Sequence, residues 1–150
     1  MERTLIIVKP DGVQRGLAGA ILARLEGRGL RFVGLKLMRI DRDLAARHYA
    51  EHEGKSFHAG LISYISSGPV VVAVLEGPDA AAAVRLSVGA TNPAQAAPGT
   101  IRGDHSISMS RNLVHASDSP ASGQREVALF FREEELLAYR RDIDAWIMDD

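Results

Sequence analysis

The chain has no cysteine. Disulfides and thiolate metal sites are therefore excluded. Neither charge sign dominates: 18 Lys and Arg face 19 Asp and Glu, for a net charge of -1. That balance argues against unselective nucleic-acid binding, which draws on a strong basic excess. There is no long apolar run. The first, Leu5–Val8, meets Lys9-Pro10 at once, too early for a signal peptide or membrane span. The expectation is a cytoplasmic protein with no membrane partner. Both common nucleotide fingerprints are missing too. No G-x-G-x-x-G occurs, and Gly54-Lys55-Ser56 has Tyr49 where a P-loop needs glycine. Any nucleotide must be held another way.

What is present suits one compact domain over residues 1–150, with 46% hydrophobic and 25% charged residues. Leu5–Val8 reads as a buried strand ended by Pro10-Asp11-Gly12. A helix is expected from about Leu17 to Arg28, with Leu17, Ile21 and Leu25 on one face and Gly29 as its stop. Leu30–Ile40 alternates as a strand. Asp41 caps a helix through Leu44 to Glu53, and a second short helix spans Ala59–Ser66. Val70–Leu75 is a continuous apolar run and reads as a central strand. Pro78 opens a helix over Ala80–Val88. A loop follows from Gly89 to Gly99. Ser119-Pro120 starts a short helix, Val127–Phe131 reads as the last strand, and Glu133–Asp150 as helical, then acidic.

Four strands with two main crossover helices predict an α+β fold. The expected form is a ferredoxin-like sandwich: a four-stranded antiparallel sheet covered by helices, with an inserted helical hairpin at 42–66. A doubly wound parallel sheet is the alternative, though it requires more regular alternation.

Asn112-Leu113-Val114-His115-Ala116-Ser117-Asp118 sets a histidine among small polar residues, soon after Thr100-Ile101-Arg102-Gly103-Asp104. Imidazole has an ordinary pKa of about 6.5, so its neutral form is a good nucleophile near neutral pH. Beside basic side chains it would face phosphate and carry a phosphoryl group covalently. Glu126 is the candidate orienting carboxylate. By itself a loop histidine is usually structural, and His58 and His105 read that way. Lys9 is either a strand-ending lysine or a cation aimed at phosphates. Arg85 reads as the polar face of its helix. His48-Tyr49-Ala50-Glu51-His52 matches H-x-x-E-H, whose two histidines would share a helix face as zinc ligands. Its charged neighbours read as solvated surface, so a zinc peptidase is the rival enzyme class.

Together these segments resemble nucleoside diphosphate kinases. The resemblance runs from Lys9-Pro10-Asp11-Gly12 to Asp144-Ala145-Trp146-Ile147. It is densest in Ser67-Gly68-Pro69-Val70-Val71, Thr91-Asn92-Pro93, Pro98–Asp104 and Asn112–Asp118. It implies ping-pong transfer of the γ-phosphoryl group of ATP through His115 to a second nucleoside diphosphate, ribo or deoxy. By the matching positions, Glu126 orients His115, with Tyr49 and Ser117 in support. Lys9 meets phosphate and ribose hydroxyls, and Arg85, Thr91 and Arg102 bind phosphates. Asn112 holds the sugar, and Phe57 stacks on the base with Leu61 beside it. Mg²⁺ would bridge phosphate oxygens and keep waters, with no protein residue assigned as its direct ligand. Gly123 departs from good helix-forming sequence. The resemblance further implies a homo-oligomer, a hexamer before a tetramer. A nucleotide sensor that is never phosphorylated is the non-enzymatic alternative. The intact set of His115, Lys9 and Arg102 speaks against it.

Overall fold

A computed structural model describes residues 1–149; Asp150 lies outside them. Four strands form one sheet in the order β2-β3-β1-β4, with every pair antiparallel. They are β1 (Glu2–Val8), β2 (Arg31–Met38), β3 (Val70–Gly77) and β4 (Val114–Ala116). This is the ferredoxin-like α+β order expected. β1 lies between β3 and β4, pairing Ile7 with Val72 on one side and with His115 on the other. Its apolar stretch is continuous, because both faces of the sheet are covered. Ile6 and Val8 pack with Ile21 and Leu25 of α2 (Ala18–Gly27) and Val84 of α5 (Ala80–Val88). Leu5 and Ile7 pack with Ala45 of α3 (Arg42–His48), Ile65 of α4 (His58–Ile65) and Val127 of α7 (Pro120–Phe130). Two five-residue helices, α1 (Pro10–Gln14) and α6 (Ile101–His105), close the loops beside β4.

The inserted hairpin is present as α3 and α4. Asp41 caps α3 by accepting the Leu44 N–H at 2.8 Å. The helix stops at His48, earlier than Glu53, and Ala50–His52 turns as a separate 3₁₀ segment.

Three expectations are corrected. Val127–Phe131 is not a strand; Val127 to Phe130 closes α7, which begins at Pro120 under a Ser119 side-chain cap. The buried positions Gly123, Glu126, Val127 and Phe130 recur at helical spacing, which a view limited to the apolar run conceals. Gly123 has a packing reason: a Cβ there would lie 2.9 Å from the Arg3 carbonyl oxygen. Its lack of a side chain lets α7 approach β1. The last strand is instead Val114–Ala116, three residues held by pairing with β1. Finally, the tail is not helical. Glu133–Glu135 and Asp144–Trp146 are single 3₁₀ turns. The stretch between is tied down by polar contacts: Arg141 donates to the carbonyls of Gly29 and Leu30, and Asp144 pairs with Arg31 at 2.9 Å.

Candidate active site

His115 sits in the middle of β4, half-buried, and its position is set by the β1 register. Its Nε2 lies 2.6 Å from Oε1 of Glu126, which α7 brings up from below the sheet. Glu126 is buried, yet its carboxyl is held below the usual range. Burial alone would raise it, but the His115 and Ser117 hydrogen bonds and the neighbouring histidines favour the anion. Ser117 donates to the same Oε1 at 3.0 Å and also accepts the Leu5 N–H, tying the pair to β1. With Nε2 engaged by a carboxylate, the tautomer carries its proton there and leaves the Nδ1 lone pair free.

The backbone entering β4 is strained. Leu113 is fully buried with φ of 75°, a region a bulky side chain rarely adopts. Asp11 holds it by accepting the Leu113 N–H at 3.0 Å, while the Lys9 N–H donates to the Leu113 carbonyl at 2.8 Å. Tyr64 fixes Asp11 in turn by donating its hydroxyl to Oδ1. The end of β1 therefore locks the residues just before the histidine.

A basic side flanks the strand. The Lys9 ammonium donates to Oδ1 of Asn112, and the Asn112 amide donates to the Thr91 carbonyl at 2.9 Å. Burial pushes Lys9 down to about 8, with Arg102 and Arg111 nearby working in the same direction. Arg102 is buried and donates to the carbonyls of Asn112, Gly89 and Val114, at 3.2, 3.1 and 2.5 Å. Two of its five N–H groups remain. Arg85 is exposed on α5 and donates to the Ala116 carbonyl at 3.2 Å.

On the other side, rings lead outward from the histidine. His48 lies edge-on to His115 with centroids 4.7 Å apart, and Tyr49 packs on His48 at 4.6 Å. His52 follows at 6.3 Å from Tyr49, then Phe57 at 5.4 Å from His52. Phe57 is half-exposed, and Leu61 lies one turn along α4. Burial pushes the Tyr49 hydroxyl up to about 12 and His48 down to about 3.

A histidine bonded through one nitrogen to a carboxylate, a basic flank and an exposed aromatic form a set suited to phosphoryl chemistry. The sequence model of one family, nucleoside diphosphate kinase, matches residues 2–136. The chain belongs to the nucleoside diphosphate kinase family. It is 62% identical over 148 residues to the nucleoside diphosphate kinase of Thermomicrobium roseum, covering 99% of both chains. With that of Roseiflexus castenholzii it shares 64% over 149 residues, covering 99% of this chain and all of the relative. Among solved structures, a halophilic family member from Halobacterium salinarum, in complex with CDP, superposes with a TM-score of 0.96. The two are 54% identical, with 99% of each chain covered. A Babesia bovis family protein gives 0.97 at 47% identity, covering 99% of this chain and all of the other. The family is one of phosphotransferases that move a phosphoryl group from a nucleoside triphosphate to a diphosphate.

Of the residues the kinase resemblance named, His115, Glu126 and Ser117 are in direct contact. Lys9, Asn112 and Thr91 are linked by hydrogen bonds, and Arg102 and Arg85 brace the loops and strand around them. Tyr49 reaches the centre through His48 rather than by its own bond to His115. Glu126 lies inside α7, just before the Val127–Phe131 run that was expected to be a strand. The H-x-x-E-H reading is overturned by the break in α3: His48 turns inward, while His52 lies by the exposed Lys55 and Glu51. Two neighbours of the centre were not assigned to it from sequence, His48 being legible only within the H-x-x-E-H motif. His48 carried a signal, since it is the one motif position with apolar helical neighbours at Ala45 and Leu44. Asp11 did not, because its partner Leu113 lies 102 residues away.

Proposed function

We propose that the chain transfers phosphoryl groups by a ping-pong route through Nδ1 of His115. The observation that carries this reading is the 2.6 Å contact between Nε2 and Glu126, which leaves Nδ1 as the nucleophile. Nδ1 bonds to the γ-phosphorus of a nucleoside triphosphate as the bond to the β–γ bridging oxygen breaks, and the diphosphate leaves with that electron pair. The proton stays on Nε2, and Glu126 balances the charge on the ring. A second nucleoside diphosphate then attacks the same phosphorus along the reverse path. Phosphoryl transfer depends on positioning and charge stabilisation, which Lys9, Arg85 and Arg102 supply with Thr91 on the phosphates. Asn112 meets the sugar, and Phe57 with Leu61 meets the base.

Mg²⁺ suits this arrangement. It prefers oxygen ligands and water, and would be carried by phosphate oxygens whose charge it neutralises. Asp118, exposed just beyond β4, adds a hard oxygen group; the hydroxyls of Ser122 and Ser119 hold its carboxyl below the usual range. It would hold the ion through water. A homo-oligomer, a hexamer before a tetramer, belongs to the same reading. Ile107 and Trp146 are 96% and 90% exposed, and Leu35 and Leu37 project from edge strand β2, surfaces that further copies would cover. Among the described residues no helix is long and apolar enough to cross a membrane. A cytoplasmic enzyme that equilibrates ribo- and deoxynucleoside triphosphate pools fits a site that stacks the base.

The deciding experiment incubates the protein with γ-labelled ATP and Mg²⁺ without acceptor. Acid-labile, alkali-stable label that moves to GTP on adding GDP is the expected result. A folded, nucleotide-binding protein that takes no label would leave the sensor reading instead.

Two further outcomes are expected. Phe57→Ala removes a stacking surface worth about 1–3 kcal/mol per base, so KM rises about 5- to 150-fold. Because the ring is half-exposed, thermal stability should hardly change; equal losses for all bases in steady-state assays check the stacking role. For Lys9, a free-enzyme pKa near 8 means the ammonium is lost as pH climbs through 8. The profile of kcat/KM therefore falls on its alkaline side, while bound phosphate keeps Lys9 charged and moves the kcat limb higher. Lys9→Ala should flatten that alkaline limb.

A further inference from the structure

His48 has no part in the transfer derived above. The residue is 4% exposed, and its Nδ1 is buried without a hydrogen-bond partner. Such orphans are rare and call for an occupant. One ligand atom from each of His48, His115 and Glu126 lies within 4.8 Å of the other two. Two imidazoles and a carboxylate are the donors of a three-ligand zinc site with one open position. They are poorly matched to Mg²⁺, which takes oxygen and keeps its waters. The zinc motif legible in the sequence therefore contributes one histidine to a different set from the one its spacing suggested.

We propose that His48, His115 and Glu126 form a zinc-binding site that switches the nucleophile off. Glu126 already sits 2.6 Å from Nε2 of His115, so the metal enters between these two atoms. Zinc bonds of about 2.0–2.2 Å hold neighbouring ligand atoms about 3.3 Å apart. The Nε2–Oε1 pair opens slightly and a ring nitrogen of His48 closes in, both by small side-chain rotations. The fourth position is left to water. Zinc bonds to the Nε2 lone pair, and the ring proton moves from Nε2 to Nδ1. Nothing is oxidised and no proton is lost. The nitrogen that attacks phosphorus then has no free pair. The binding is independent of the proposed phosphohistidine route; only its inhibitory consequence rests on that reading.

The test titrates the nucleotide-free, full-length protein with Zn²⁺ against a chromophoric chelator, with excess Mg²⁺ present. One tightly held Zn²⁺ per chain is expected. His48→Gln should weaken binding by about 100-fold or more, and His52→Gln should leave it unchanged. Because the buried position is sensitive, the unmodified protein supplies a second readout. Co²⁺ should give the visible absorption of a four-coordinate site with two nitrogen and two oxygen donors, and Zn²⁺ should shift the ring proton resonances of both His48 and His115. Absence of stoichiometric binding, or binding that follows His52, would overturn the site. Zinc-loaded protein should also take no label from ATP until a chelator is added. Undiminished labelling with zinc bound would refute the inhibition. A metal-free protein that never labels counts against the phosphohistidine route, while the titration still reads the site.

Discussion

Alanine at position 115 will give a folded protein with no phosphoenzyme and transfer activity reduced by about 10⁴-fold or more. The size of the loss follows from what is removed. In the proposed route the remaining groups would bind and neutralise phosphates, but among the residues around β4 none besides His115 offers a free lone pair beside an orienting carboxylate. The fold should survive, because His115 is half-buried on an edge strand, and its partner Glu126 keeps the Ser117 hydrogen bond. Denaturation, nucleotide binding and acid-labile labelling, measured on one preparation, separate the two effects. Residual label in the variant would move the nucleophile elsewhere. Glu126→Gln should fall between variant and native protein, since an amide can still orient the ring but carries no charge to balance it.

Arg102→Ala is expected to be the most damaging change away from the nucleophile. The guanidinium satisfies three backbone carbonyls, at Gly89, Asn112 and Val114, and so ties the loops carrying Gly89 and Asn112 to β4. Leaving such carbonyls unpaired costs about 1–3 kcal/mol each, reduced where water enters. A total of about 3–5 kcal/mol is expected, a fall in Tm of about 6–20 °C for a chain of this size. Activity should drop even at temperatures where the variant is folded, because Asn112 and the strand bearing His115 lose their brace. Arg102→Lys should rescue little: one ammonium cannot match three carbonyls in a fixed fork. Thermal unfolding together with kcat at low temperature measures both. A Tm within two degrees of the native protein would contradict the bracing role.

His48 brings an acid limit to stability. Its imidazole titrates at about 3 in the fold against an ordinary 6.5. Between those values the unfolded chain binds a proton that the native chain does not. Stability is therefore full above pH 6.5 and falls with acid, by at most about 1.4 kcal/mol per pH unit for this group.

The sequence was informative where one residue's chemistry or a local period is sufficient. Leu5–Val8 and Val70–Leu75 were legible as strands because both faces are buried. Asp41 was legible as a cap because capping acts over three residues. It failed at β4, which has only three residues and exists through pairing with β1. It failed again at Val127–Phe131, where an apolar run is compatible with either period and the Ser119-Pro120 start decides for helix. The tail over Arg141 and Asp144 is ordered by contacts to Arg31 and the Gly29–Leu30 carbonyls, none of which lies nearby in sequence.

Composition, cysteine count and the order of motifs thus determined the fold class, the family resemblance and the identity of the chemical groups. These properties depend on residue type and short spacing. Tertiary structure alone decided which histidine nitrogen is free, because Glu126 reaches Nε2 from a helix across the sheet. It alone decided that Arg102 spends its donors on carbonyls, that Asp11 pins a strained Leu113, and that His48 rather than His52 faces the centre. Each is a contact between segments far apart in the chain, fixed by β1 passing between β3 and β4, and local sequence preference has no access to such contacts.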